Sequence, residues 1–389
     1  MQHLVPNRPM TNGHLLRLPA EIWQHIFTFL PLSLPAFSTG ADHRTPLTAR
    51  PRDVIDTLLS VSCTCRHFRA LTYACPILWT SLHILLPGLP SASRVERYFL
   101  LSGSLGVAVH ICVLDAQQEL SEGVVSTLAA HCDKLTHLRV LGPSWAPPRL
   151  EMNGRAAFIL QQVRSTALRS FSLQDVAICV RCRHSLLHLL LVSMELEQLH
   201  LDIPLLLPPI LVSANALGKL TRAVVSAHLL AELLMLGLQP PLEELELHGL
   251  GIYVRYRLPL APEDDPFLHV PFGGSLRTLR VVDTLPDEYL FRFLAHTPCI
   301  EDLTLLACQS GSTLLEHLSS PSLLPSLRHL RIEWGTFSDE DAFGLLRARG
   351  GLKMTARGCW GTTKILGEWL AREGRGTWED ISRPMTWTS

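Results

Sequence analysis

The 389-residue sequence has no excess of charge of either sign: 34 Lys and Arg face 35 Asp and Glu, leaving a net −1. Nucleic-acid binders and polybasic membrane binders both draw affinity from surplus positive charge, so neither class is expected. Long hydrophobic runs are also missing. The most apolar stretch, 203–217, is broken by Pro204, Pro208 and Pro209, and the run 229–238 is short and contains Glu232. A spanning helix needs roughly 20 apolar residues, so no membrane insertion is expected. Residues 1–17 lack an apolar core followed by small residues, so no secretory signal is expected. The ten cysteines are scattered through a long chain rather than gathered in a small framework. They are expected as reduced thiols of a cytosolic or nuclear protein.

Catalytic signatures are equally scarce. The sequence contains no Gly-x-Ser-x-Gly and no His-Glu-x-x-His. Gly273-Gly274 precedes a strand pattern, not a helix N-terminus, and makes a poor phosphate cradle. Cys179, Cys182 and His184 form one metal-like cluster, but a closed zinc site needs four ligands and no second pair accompanies them. No metal, cofactor or catalytic residue is assigned.

What the sequence has in abundance is leucine, 76 residues, about one in five. Apolar residues total 47% and charged residues 18%, enough to bury a large core. Residues 1–17 read as a loose arm, and 18–84 carry helical patterns interrupted by a proline-rich loop at 31–53. Residues 91–373 alternate short strand signals with helical segments, and 374–389 form a tail without a period. Pro19 suits the first position of a helix, and Glu21 favours its positive end. On that helix Ile22, Trp23, Ile26, Phe27, Phe29 and Leu30 span an arc of about 160°, wider than the ~100° one packing face requires. Such a stripe fits either ordinary core or a helix shared between its own domain and a partner.

Leu18–Phe27, LPAEIWQHIF, resembles the opening of the F-box, Leu-Pro-x-Glu-Ile-x-x-x-Ile-Phe. Residues 59–71, LSVSCTCRHFRAL, resemble its second half, and CPILWTSLHI at 75–84 resembles its closing Pro-x-Leu-Trp. Phe68 stands where a Trp is usual, and the loop at 31–53 is longer than the family norm. The three pieces in order resemble fungal-type F-box proteins with a C-terminal leucine-rich-repeat-like solenoid. The resemblance implies an F-box that binds a Skp-type adaptor, and through it a cullin, and a repeat domain that holds an unknown protein substrate for ubiquitin transfer. It places Leu18, Pro19, Ile22, Ile26, Cys65 and Leu78 in or beside the adaptor interface, with Trp79 supporting them.

The repeat is legible from the residues themselves. Eight segments, the first at Leu135-Leu138-Val140 and the last at Leu327-Leu330-Ile332, carry apolar residues at positions 1, 4 and 6. Of the interleaved positions only Val224 is apolar. The segments recur about every 27 residues, within the ~20–29 of leucine-rich repeats. Helical segments lie between them, as at 155–164, 185–194, 227–238, 287–296 and 339–347. Further strands are expected at 105–111, 252–258 and 352–356, and a closing helix at 360–373. The expected fold is α/β: a small helical F-box followed by an irregular solenoid with a parallel sheet. The position that is often Asn or Cys in such repeats is mostly lost, so the usual ladder beneath the turns is absent.

Strand side chains alternate, so the polar positions form a column facing away from the core. Its charged members include Arg139, His200, Glu244, Glu246, Arg280, Asp302, His329 and Arg331. Singly these are ordinary solvated residues. As an array they are a candidate concave binding face for a protein, since no single sign dominates. The leading reading is a non-catalytic substrate receptor of a ubiquitin ligase. The alternatives are a non-proteolytic adaptor-bound scaffold and an enzyme with a site on the concave face.

Overall fold

Two apolar residues spaced two apart lie on one face of an extended chain, and a strand built this way must find a neighbour to cover that face. The computed structural model describes residues 19–28, 61–86, 91–113, 120–142, 167–174, 180–201, 217–249, 274–282, 288–307 and 311–380. Twelve strands form one parallel sheet whose spatial order equals their order in the chain. They are β1 (Ser81–Leu86), β2 (Val107–Val113), β3 (Leu135–Leu141), β4 (Ser170–Gln174), β5 (Gln198–Leu201) and β6 (Arg222–Ser226). β7 (Glu244–His248), β8 (Thr278–Val282), β9 (Asp302–Leu306), β10 (His329–Glu333), β11 (Lys353–Arg357) and β12 (Gly376–Glu379) complete it. Sequential parallel order with covering segments between strands is the topology of a leucine-rich-repeat-like solenoid.

The register explains the leucine pattern. One apolar row runs in step from Leu82 on β1 through Leu138, Leu199 and Leu245 to Met354 on β11. A second runs from Ile84 through Val140 and Leu247 to Ala356, and ends beside Trp378. All twenty-four predicted ladder residues are buried, none more than 7% exposed. The helices behind the sheet close the core: α3 (Ala92–Leu101), α4 (Glu122–Ala130), α5 (Val180–Val192), α6 (Ala227–Met235), α7 (Glu288–Ala295), α8 (Gly311–Leu318), α9 (Asp339–Ala348) and α10 (Lys364–Arg372). Predicted helices at 185–194, 227–238, 287–296, 339–347 and 360–373 therefore correspond to α5, α6, α7, α9 and α10. The segments 1–17, 31–53, 155–164 and 252–271 lie outside the described residues.

The sheet extends past both ends of the 91–373 range. β1 follows directly on the F-box-like helices, and β12 lies where the sequence shows no period. β12 joins because Gly376, at φ +149°, lets the chain approach β11 where a Cβ would meet the Met354 carbonyl oxygen.

A backbone device stands where an Asn ladder would be. The residue after the strand turns left-handed at Gly249, Ala307, Trp334 and Gly358, with φ between 57° and 66°. The N–H groups of Ala307, Trp334 and Gly358 donate to the carbonyls of Glu333, Arg357 and Glu379 at 2.8, 3.0 and 2.9 Å, carrying the sheet ladder one step further. At the other end, the last helical carbonyls, which have no partner within the helix, take cations from the following repeat. Lys134 Nζ donates to the carbonyls of Phe99 and Gly103, at 3.1 and 2.8 Å, below α3. Arg349 donates to Leu318, Leu324 and Ser320, at 2.5, 2.8 and 2.6 Å, and to Leu323, closing the loop after α8. Arg375 serves Leu346, Arg349 and Leu352 in the same way.

The N-terminal element consists of α1 (Ala20–Thr28), α2 (Arg66–Tyr73) and a 3-10 turn at Pro76–Trp79. The Pro19 carbonyl accepts from the N–H groups of Ile22 and Trp23, so Pro19 is the residue that opens α1. The helical pattern read through 54–71 breaks at Cys65, whose Sγ accepts from the Phe68 N–H at 3.4 Å and caps α2. Trp23 and Phe68 pack with ring centroids 4.7 Å apart. Trp79 is fully buried, donates from Nε1 to the Thr72 carbonyl at 2.9 Å, and meets the Tyr98 ring of α3 edge-on at 5.0 Å. The F-box-like helices and the first repeat thus share one core.

Arg349 is 9% exposed and holds four carbonyls that no other described side chain serves. Arg349→Ala is expected to lower unfolding free energy by about 2–4 kcal/mol, since charged hydrogen bonds are lost and buried acceptors left unmade. Urea denaturation measures it, and an unchanged midpoint would refute the role.

Candidate functional site

Two surfaces carry the predicted site residues. The first is on the N-terminal helices. Leu18 lies outside the described residues. Pro19 is exposed, and Ile22 and Ile26, one turn apart on α1, are 46% and 40% exposed despite being large and apolar. Cys65 is half-buried at its capping position. Leu78 and Trp79 are buried in the shared core, so they hold the turn in place rather than offer contact. The sequence reading missed Ile77, which is 58% exposed on the 3-10 turn between buried neighbours. Its signal was the closing motif itself: three residues per turn point Ile77 and Leu78 in different directions.

The second surface is the outward face of the sheet. Register places Arg139, Ser172 and His200 side by side on β3, β4 and β5. Glu246 and Arg280 are likewise neighbours on β7 and β8, as are Asp302 and His329 on β9 and β10. The predicted charges of the later strands meet one another. Glu244 lies 3.2 Å from Arg222 Nε. Glu246 is held between His248 Nε2 at 2.9 Å and Arg280 Nε at 3.7 Å. Asp302 lies 2.5 Å from His329 Nδ1, and Arg331 Nε lies 2.5 Å from the buried Glu333.

The earlier strands differ. β1–β5 carry no carboxylate at all, whereas β6–β12 carry Glu244, Glu246, Asp302, Glu333 and Glu379. His83 and His110, in register on β1 and β2, stack at 4.7 Å and an interplanar angle of 11°. Burial pulls the His83 pKa down to about 4; burial, with His83, Arg139 and His137 nearby, pulls His110 to about 3. Both rings are therefore neutral near pH 7. Arg139 Nη2 donates to Gln174 Oε1 at 3.0 Å, and Gln174 Nε2 contacts His200 Nδ1 at 2.7 Å. Burial lowers the Arg139 pKa and raises that of the neighbouring Cys112 thiol, an upward shift that Arg139 only partly offsets. Neither His83 nor His110 was among the predicted site residues, because their stacking depends on a register between strands far apart in sequence.

Among the described residues no group of three or more His, Cys, Asp or Glu side chains could hold a metal ion. The side chains of Cys179, Cys182 and His184 are not among those described. No described helix is long and apolar enough to cross a membrane.

Residues 15–85 match the F-box-like family. No curated protein sequence matches the chain. Among solved structures, the leucine-rich repeat-containing protein LegL7 from Legionella pneumophila is similar at 14% identity and a TM-score of 0.41, over 77% of this chain and 89% of that one. The chain carries an F-box-like domain at 15–85, and its sequentially ordered parallel sheet has the topology of a leucine-rich-repeat-like solenoid, an arrangement suited to an interaction protein of adaptor type. F-box domains generally bind Skp-type adaptors.

The stacked histidines give a pH prediction. Their folded pKa values lie below the ordinary 6.5, so between about pH 3 and 6.5 the unfolded chain binds more protons than the fold. Stability is expected to fall as pH drops from 7 towards 4. The double variant His83→Gln/His110→Gln should show a shallower decline in melting temperature, and parallel curves for the two proteins would contradict it.

Proposed function

We propose that the chain is the substrate-recognition subunit of a Skp-cullin-F-box ubiquitin ligase, acting in the cytosol or nucleus. The observation that carries this reading is the F-box-like match at 15–85 together with an apolar surface, Ile22 and Ile26 on α1 and Ile77 on the adjoining turn, on that same domain. A large apolar side chain left 40–58% exposed loses free energy until a partner covers it. In this reading the chain performs no bond chemistry. The F-box holds the Skp-type adaptor and, through it, a cullin. The concave sheet holds a protein whose lysines are thereby kept near a charged ubiquitin carrier, raising their effective concentration.

The shared core around Trp79 supports the mechanism physically. Because Trp79 meets both Thr72 of α2 and Tyr98 of α3, a substrate on the sheet stands at a defined distance from the adaptor instead of on a loose tether. The test is adaptor affinity of Ile22→Asp/Ile26→Asp. Truncated anchors at such interfaces typically cost ~2 kcal/mol or more, so at least about a thirtyfold loss is expected with the melting temperature preserved. Unchanged affinity would remove the ligase reading. Stabilisation of a concave-face partner on cullin inhibition tests ubiquitin transfer; a partner that binds but does not accumulate would make the protein a non-proteolytic scaffold.

A further inference from the structure

Each unit of a solenoid is stabilised by its neighbours, so the units at the ends are the weakest. β1 is an end strand, with β2 as its neighbour in the sheet. Its apolar residues Leu82 and Ile84 are nevertheless buried. The core that covers them runs on into the F-box-like element. Trp23, Leu71, Leu78 and Trp79 belong to the same continuous cluster as Leu82, Tyr98 and the leucine ladder. The backbone is equally continuous. Thr80 alone separates the 3-10 turn from β1, and its carbonyl accepts from the Ala108 N–H of β2 at 2.7 Å. The hydrogen-bond ladder of the sheet therefore starts at the edge of the turn.

Aromatic rings cross the junction. Trp23 of α1 packs on Phe68 of α2 at 4.7 Å, and Tyr73, at the end of α2, meets Trp79 at 5.8 Å. Trp79 in turn meets Tyr98 of α3 at 5.0 Å. Opening the first repeat uncovers Trp79 on one side, and opening the F-box-like helices uncovers it on the other. A fully buried tryptophan shared in this way couples the two openings into one cooperative event. The exposed isoleucines belong to the same short elements. Ile22 and Ile26 share α1 with Trp23, and Ile77 shares the 3-10 turn with Leu78 and Trp79. Whatever holds those isoleucines in place also holds the buried side of the junction in place.

We propose that the F-box-like element is the N-terminal cap of the solenoid, and that adaptor binding to it regulates the early concave strands by holding β1–β3 closed. The regulation rests on the proposed function in taking Ile22, Ile26 and Ile77 as the adaptor surface; the cap does not. A ligand that binds only the closed unit makes its opening rarer, about a hundredfold at a free concentration 100 times Kd. The coupling is reciprocal, so a partner seated on β1–β3 also keeps the adaptor surface folded. Nearest-neighbour stabilisation fades along the array, and β11 lies ten strand steps from β1, roughly 50 Å away. A partner on the last strands is therefore indifferent to the adaptor, whereas one on β1–β3 meets a surface that the adaptor keeps formed.

The test is amide hydrogen exchange of the full-length chain, read by mass spectrometry in mild denaturant so that exchange reports opening. A purified Skp-type adaptor is added at about 100 times its Kd. Exchange should slow about a hundredfold in α2, β1 and α3 together, and stay unchanged in β10 and β11. Slowing that stops at Trp79, or that reaches β11 equally, overturns the regulation. Two variants test the cap without the adaptor. Tyr98→Leu, on the repeat side of Trp79, should speed exchange in α2 by between about twofold and tenfold, the worth of one aromatic pair. Tyr73→Leu, on the F-box side, should speed β1 and α3 by a similar factor. In both, β11 keeps its wild-type protection, which shows that the rest of the chain is folded. If each variant loosens only its own side of Trp79, the cap is refuted. An adaptor that does not bind defeats the ligase reading, and the two variants then decide the cap on their own.

Discussion

A single strand of this protein cannot bury its own apolar face. Each carries aliphatic residues two positions apart, and among the described residues these are covered by the next strand's equivalents and the helix behind. Full burial of such a side chain contributes roughly 1.5–3 kcal/mol relative to exposure. The two rows from Leu82 and Ile84 onward therefore act as one continuous contact, and a one-residue slip anywhere would turn a whole strand's leucines to solvent. That penalty locks the register. Locked register in turn determines which polar residues stand side by side on the outer face, so the chemistry of that face is a by-product of the core.

Stacking repeats leaves a second problem at their ends. Helices that stop beneath a sheet expose carbonyls without partners. Here the solution is uneven. Ser102, Ser193 and Thr297 turn buried hydroxyls back on their own helix carbonyls at 3.0, 2.7 and 3.1 Å. Lys134, Arg349 and Arg375 reach across from the following repeat. Cations suit this position electrostatically, since they face the negative end of the helix dipole. A guanidinium also satisfies several acceptors at once, which explains how Arg349 is kept at 9% exposure with no carboxylate among its hydrogen-bond partners.

What could be read from the residues follows from these constraints. The leucine ladder was legible because position 1-4-6 burial is a local pattern repeated many times, and all its members are inside. The F-box-like pieces were legible as short ordered motifs. Leu78 and Ile77 show where local reading stopped: both are apolar and adjacent, and only packing against α1 and α3 tells which is core and which is surface. β12 was missed because its four residues, GTWE, include one inward aromatic and a glycine, too little for periodicity, while its pairing depends on close approach to β11. The partner of each outer-face charge was also out of reach. Asp302 and His329 are 27 residues apart in sequence, and their contact follows from strand register alone.

That last point bears on how an overall charge near zero should be understood. A balanced composition argues against a general polyanion binder, yet it says nothing about how the balance is distributed. In this sheet the carboxylates lie wholly on the later strands, where each is matched by a base on its own or an adjacent strand. Pairs of this kind at a partly exposed surface contribute little net stability, typically 0–1 kcal/mol each. They do remove unopposed charge, and so the later strands offer a partner shape and polarity with little net field. On β3 Arg139 stands in register with Ser172, and its Nη2 donates to Gln174 Oε1 further along β4 at 3.0 Å. How charge is distributed over a solenoid with no net charge is therefore decided by strand register, pair by pair, and not by composition.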